Sequence, residues 1–382
     1  MGLMRALATC VLCACSFQTN NGTTEMAPPD APLDASGPTA CFGSQGPTGF
    51  YFCMSPPPTT ALTLSGTIND DNDCPMGGFF TMLTGPNEKV CAYAGAGVTI
   101  PTNFTAAGKY PIVIASTGDI TITGMLDVST PDGGQHGAGH NPPDCYPDNA
   151  TYGTNAGGGA GGGGAAGGSF MTAGGAGGTG GGGTNGGTPQ AAVTATVTTL
   201  RGGCQGGIGG DGNNTGGTGG NPGYGGGAVF LVARGTITIA SSGTIDASGE
   251  KGYHGHRANP GGGASGGGSG GMILLDAQTL TVGGKLLANG GGAGGGADQN
   301  ADGNDGNDPD ATMPQNAAGG GGGHGGGGNG GAGFATMSAN MTGRNAGGTG
   351  GGGGGGGGAG LIRVLMGGVP APTNSISPNA QM

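Results

Sequence analysis

The chain has 382 residues, of which 104 are glycine, only 8% are charged and 4% aromatic, and tryptophan is absent. A conventional core of large side chains is therefore out of reach over most of the length. The formal charge of −11, with ten Lys and Arg in all, excludes a nucleic-acid partner, which needs clustered cations. Collagen is excluded too, because runs such as residues 351–358 have no glycine period of three.

Residues 1–14 read as an export signal, with Arg5 as its positive start and a short apolar stretch after it. Leu12-Cys13-Ala14-Cys15 resembles a bacterial lipobox, and that resemblance makes Cys15 the lipidated first residue of an outer-membrane-anchored lipoprotein. The alternative is an ordinary cleaved signal peptide. Residues 15–40 are mostly Asn, Thr, Pro, Ala and Asp with almost nothing to bury, the composition of a tether. No later stretch is apolar for the roughly 18 residues that a membrane span requires, so the expected membrane attachment is by lipid.

Residues 41–93 are dense in aromatics, Phe50, Tyr51, Phe52, Phe79 and Phe80 among them, hold four cysteines, and are expected to cap the end of the domain that follows. Once the signal and the lipid site are set aside, Cys41, Cys53, Cys74, Cys91, Cys145 and Cys204 remain. An even number points to disulfides in an oxidising compartment. Spacing leaves the connectivity open, with neighbours preferred: Cys41 with Cys53, Cys74 with Cys91, Cys145 with Cys204. A zinc site would need close Cys-x-x-Cys pairs, which this set lacks.

Residues 94–366 carry a repeat of two short alternating strands: Val98-Thr99-Ile100 with Phe104-Thr105-Ala106, Ile120-Thr121-Ile122 with Leu126-Asp127-Val128, Ile237-Thr238-Ile239 with Ile245-Asp246-Ala247, and Leu280-Thr281-Val282 with Leu286-Leu287-Ala288. Period-two alternation buries one face of each unit, and stacked units share an interior column. The predicted fold class is therefore all-β, a parallel β-helix or solenoid. Glycine-rich inserts at 133–227, 249–271 and 290–360 interrupt it, and a tail of 367–382 ends the chain. The inserts are either flexible loops or ordered polyglycine, in which bare backbones in the threefold polyproline II shape lie side by side. In composition they resemble the polyglycine bundles of some phage-tail adhesins and glycine-rich receptor domains.

Three constellations suggest chemistry. Asp298-Gln-Asn300-Ala-Asp302-Gly303, followed by Asp305, matches the first half of a calcium loop, with Pro309 where the bidentate Glu of an EF-hand would stand. A solvated acidic loop tip is the alternative, and Ca2+ is the only cofactor suggested. His136 and His140, with His254 and His256, form two pairs that a stacked fold could bring together on a transition metal; exposed loop histidines are the alternative. Asp127 and Asp246 occupy equivalent outward positions and could stack as the acid and base of a polysaccharide-cleaving β-helix. Thr99, Thr121, Thr238 and Thr281 would form an outward hydroxyl ladder.

From about residue 41 to 365 the pattern resembles the glycine-rich β-solenoid surface lipoproteins of some predatory and social bacteria, a group without a defined activity. The resemblance implies a noncatalytic surface or envelope protein with a structural or adhesive role. Its partners would be the membrane, through its lipid, and an extracellular glycan or envelope protein. The alternatives are a carbohydrate-active protein and a binder of an ordered surface such as ice or a glycan lattice.

Overall fold

The computed structural model describes residues 39–381 apart from 44–49, 84–87, 131–134, 146–149, 194–196, 214–215, 311–318, 321, 323–325, 336–339, 367 and 369–374. The export segment, most of the tether and Cys15 lie outside the described residues.

The strands are short where the sequence alternates and long where it is apolar throughout. An antiparallel pair, β1 (Ala40–Gly43) and β2 (Tyr51–Met54), sets Cys41 opposite Cys53. There follow β3 (Leu62–Thr63), β4 (Gly66–Asn69), β5 (Phe79–Leu83), β6 (Glu88–Gly95), β7 (Val98–Ile100), β8 (Phe104–Ala107), β9 (Ile112–Ser116), β10 (Ile120–Ile122) and β11 (Met125–Asp127). After the first long insert come β12 (Ala228–Ile239), β13 (Thr244–Asp246), β14 (Met272–Val282), β15 (Lys285–Leu287), β16 (Leu361–Val364) and β17 (Ile376–Ser377).

These strands do not form the expected parallel β-helix. The architecture is mixed, with parallel and antiparallel sheets and a curled larger sheet. Two features overturn the expectation. First, β12 and β14 run unbroken past Arg234-Gly235 and its counterpart, so the repeat strands Ile237-Thr238-Ile239 and Leu280-Thr281-Val282 are continuous with the apolar runs before them. They thereby join β3-β7-β10 to β9-β6-β5 in one nine-stranded sheet. A register shift between Ala233 and Thr236 absorbs the bend, as a β-bulge does. Secondly, β5 pairs antiparallel with β6 at the edge of that sheet, so residues expected to cap the domain are part of it. The second sheet, in the order β17-β15-β13-β11-β8-β4, has six parallel strands.

Between the two sheets lies one core, to which the alternating strands give Ile120, Ile122, Leu126, Ile237, Ile239, Ile245 and Leu286. A second core covers the opposite face of the nine-stranded sheet, where Phe42, Phe50 and Phe52 pack on Val113, Phe230 and Leu274, with Phe170 and Leu200. Two-sided burial explains why Ile112-Val113-Ile114 and Val229-Phe230-Leu231 are apolar at every position: odd and even side chains enter different cores.

The glycine-rich segments continue from the strand ends as a hydrogen-bonded array. Its logic is clearest in residues 350–358. Gly351, Gly354 and Gly357 donate to Ala297, Gly294 and Gly291; Gly352, Gly355 and Gly358 donate to Gly162, Ala165 and Gly168; Gly353 and Gly356 donate to Arg344 and Met341. Their carbonyls accept in the same rhythm from residues 264–270, 175–181 and 328–334. Donors to one neighbour recur every third residue, which is the period of an extended threefold helix. Such close approach requires bare backbone: a Cβ on Gly354 would fall on the Ser265 carbonyl oxygen, and one on Gly353 on that of Asn329.

Candidate functional site

The site grows from a rim of this array. Residues 249–257 follow β13 with threefold periodicity, so their amides point in three directions. Gly249, Gly252 and Gly255 donate inward to Asn289, Gly292 and Gly295. Glu250, Tyr253 and His256 donate to Tyr224, Asn221 and Thr218. On the third side carboxylates do what carbonyls do elsewhere. The amides of Lys251, His254 and Arg257 donate to Oδ1 of Asp308, Asp305 and Asp302, at 2.7, 3.1 and 2.6 Å. Between them, Gly303 and Gly306 donate back to the carbonyls of Gly255 and Gly252. Asp302-Gly-Asn-Asp305-Gly-Asn-Asp308 is thus an aspartate ladder matched in step to its neighbour.

This ladder gathers a donor set. His254 Nδ1 lies 2.5 Å from Asp305 Oδ1, and Lys251 Nζ lies 3.6 Å from the other oxygen of that carboxylate. The rings of His254 and His256 meet edge to face at 4.9 Å. One ligand atom each from His254, His256 and Asp302 falls within 4.8 Å of the others. His254 is half-buried, while His256 and Asp302 are exposed.

The predicted residues sort as follows. The calcium loop does not close: Asp298 is buried and spends Oδ1 on the amides of Asn300 and Ala301, at 2.7 and 2.9 Å, whereas Asp302 and Asp305 turn to residues 254–257. Among the described residues, Asp298, Asp302 and Asp305 form no common metal-binding group. Nor do the four histidines gather. His136 stacks on Tyr224 at 3.7 Å, and His140 Nδ1 lies 3.0 Å from the Gly137 carbonyl. Burial pushes both below the usual imidazole range, helped for His136 by the neighbouring His140. Asp302 is the member that sequence reasoning misplaced. The signal for its partnership was the three-residue spacing of Asp302, Asp305 and Asp308.

Asp127 and Asp246 do stand side by side in register. Each is spent on its own turn, however: Asp127 Oδ1 accepts from the Ser129 amide and hydroxyl, and Asp246 Oδ1 from the Ser248 amide. Burial, with the Asp127 charge beside it, raises Asp246 to about 7, and burial raises Asp127 as well. The six cysteines pair as Cys41–Cys53, Cys74–Cys91 and Cys145–Cys204. No described helix is long and apolar enough to cross a membrane.

The chain matches no family model, no curated protein and no solved structure.

Proposed function

We propose that this chain is a noncatalytic structural protein of a bacterial surface or envelope, exported by residues 1–14 and held to the outer membrane by lipid on Cys15. In this role it presents its glycine-rich array for adhesion to an extracellular glycan or an envelope protein. The observation that carries the reading is the array itself. Remote segments are tied by backbone hydrogen bonds into a body with few charges, braced by three disulfides of the kind that persist outside the cytoplasm. The stacked carboxylates that would have served a polysaccharide-cleaving enzyme are engaged by their own turns, Asp246 buried and Asp127 half-buried, which favours the structural reading. The test is intact mass of the mature protein extracted from membranes with detergent, with and without alkylation. Acyl mass on Cys15 and no alkylated thiol among the six described cysteines are expected; a water-soluble product lacking acyl mass would overturn the anchoring.

A second reading has its own support. Thr63, Thr99, Thr121, Thr238 and Thr281 lie in register on successive strands, with the Thr63 and Thr99 hydroxyls 3.1 Å apart. Successive strands are about 4.8 Å apart, so the hydroxyls form a regular file. Such a file suits an ordered surface, ice or a glycan lattice. Under this reading Thr121→Lys should abolish adsorption to ice or crystalline polysaccharide while leaving the circular dichroism spectrum unchanged; adsorption equal to that of wild type would rule it out.

A further inference from the structure

We infer that His254, His256 and Asp302 form a binding site for a divalent transition cation of the Zn2+, Co2+, Ni2+ or Cu2+ class, a property separate from the proposed surface role. Two imidazoles and a carboxylate are the donor set that such ions accept, whereas Ca2+ and Mg2+ take oxygen alone.

The backbone explains the convergence. Gly255 is held inside the array by its bonds to Gly295 and Gly303. In a threefold chain the side chains before and after an inward glycine take the two remaining directions, so His254 and His256 flank Gly255, and their rings meet at its rim, 4.9 Å apart. Asp302 comes from the adjacent, antiparallel segment, where the Arg257 amide holds Oδ1 and leaves Oδ2 for an ion.

Asp305 completes the arrangement from behind. It takes both the amide and Nδ1 of His254, fixing the ring and leaving Nε2 for a metal, as the carboxylates behind metal-bound histidines do. Lys251 pairs with the other oxygen of Asp305, at 3.6 Å, which marks Asp305 as the orienting carboxylate and Asp302 as the ligand. Exposure of His256 and Asp302 leaves the remaining coordination positions open to water or to a group on a partner.

The test uses the mature, untagged protein freed of metal with a chelator, titrated with Co2+ and followed by its visible absorption, then with Zn2+. Expected are one Co2+ per chain, displacement by Zn2+ and no displacement by Ca2+. His256→Ala and Asp302→Asn should each weaken binding at least tenfold, and Asp305→Asn, acting through His254, by about tenfold. His136→Ala, in the other pair, should bind as wild type does. Metal-free variants are compared by circular dichroism; Asp302→Asn keeps an acceptor for the Arg257 amide and so tests the ligand without removing the rim bond. Absence of saturable binding, or equal affinity in wild type, His256→Ala and Asp302→Asn, would overturn the assignment, as would an equal loss in His136→Ala.

Discussion

Asp246 shows what a single buried carboxylate does to this fold. The residue is 4% exposed, Asp127 stands beside it in register, Asp308 adds a further negative charge, and the Ser248 amide donates to its Oδ1 at 2.9 Å. Burial first, and these charges second, place its folded pKa at about 7, above the roughly 3.9 of an unfolded chain. The folded state therefore keeps a proton that the unfolded state releases across that interval. Its stabilising share is complete below the unfolded value and is lost as pH rises through about 7. Asp246→Asn removes the titration and keeps an oxygen for the Ser248 amide. The expected outcome is equal thermal stability at pH 4, and a variant more stable than wild type at pH 8. Melting curves at the two values check it; a variant less stable at pH 8 would show that the carboxylate is held charged.

At the scale of elements, glycine is here a packing residue. Gly354 sits where a Cβ would strike the Ser265 carbonyl, on a segment whose amides and carbonyls are all engaged by neighbours, and backbone cannot retreat as a side-chain end does. Gly354→Ala should cost about 3 kcal/mol in urea unfolding, at the upper end of ordinary overpacking. Ala264→Gly, at a position of the same array where a Cβ is already buried, should cost about 1 kcal/mol at most. Equal effects of the two changes would mean that the array is not closely packed. The elements also show how far pattern carries. Val98, Ile120, Ile237 and Leu280 do pair in the register that alternation predicts, because a slip of one residue would turn their apolar face to water. The merger of the sheets was not legible, since Arg234-Gly235 looks like a break and only a bulge lets β12 pass it. The rim ladder was hidden for another reason: Asp302 and Asp305 resemble calcium ligands in one dimension, and their matching to His254 and Arg257 depends on a threefold chain lying alongside.

Over the whole described body, cohesion comes from segments distant in sequence. Residues 161–168, 174–181 and 202–212 of the first insert all reach the array, and all lie on a stretch between β11 and β12 whose described residues form no strand. Cys145–Cys204 staples this stretch over a separation of 59 residues, against 12 for Cys41–Cys53. Closing the longer loop removes more freedom from the unfolded chain, about 4 kcal/mol against about 3 kcal/mol for the shorter. The folded side adds to the difference. Arg201, buried over the Phe170 ring, donates to both sulfurs of the longer pair at 3.2 and 3.0 Å, and their loss takes partners from a buried charge. The paired change Cys145→Ala with Cys204→Ala should therefore destabilise by more than the paired change at Cys41 and Cys53, and should release amide protection first in residues 202–212. Denaturant unfolding ranks the two variants and hydrogen exchange locates the opening. If removing the shorter bridge were the more damaging, the fold would be held chiefly by its sheet edge, and the glycine array would be cargo on the sheets rather than a brace for them.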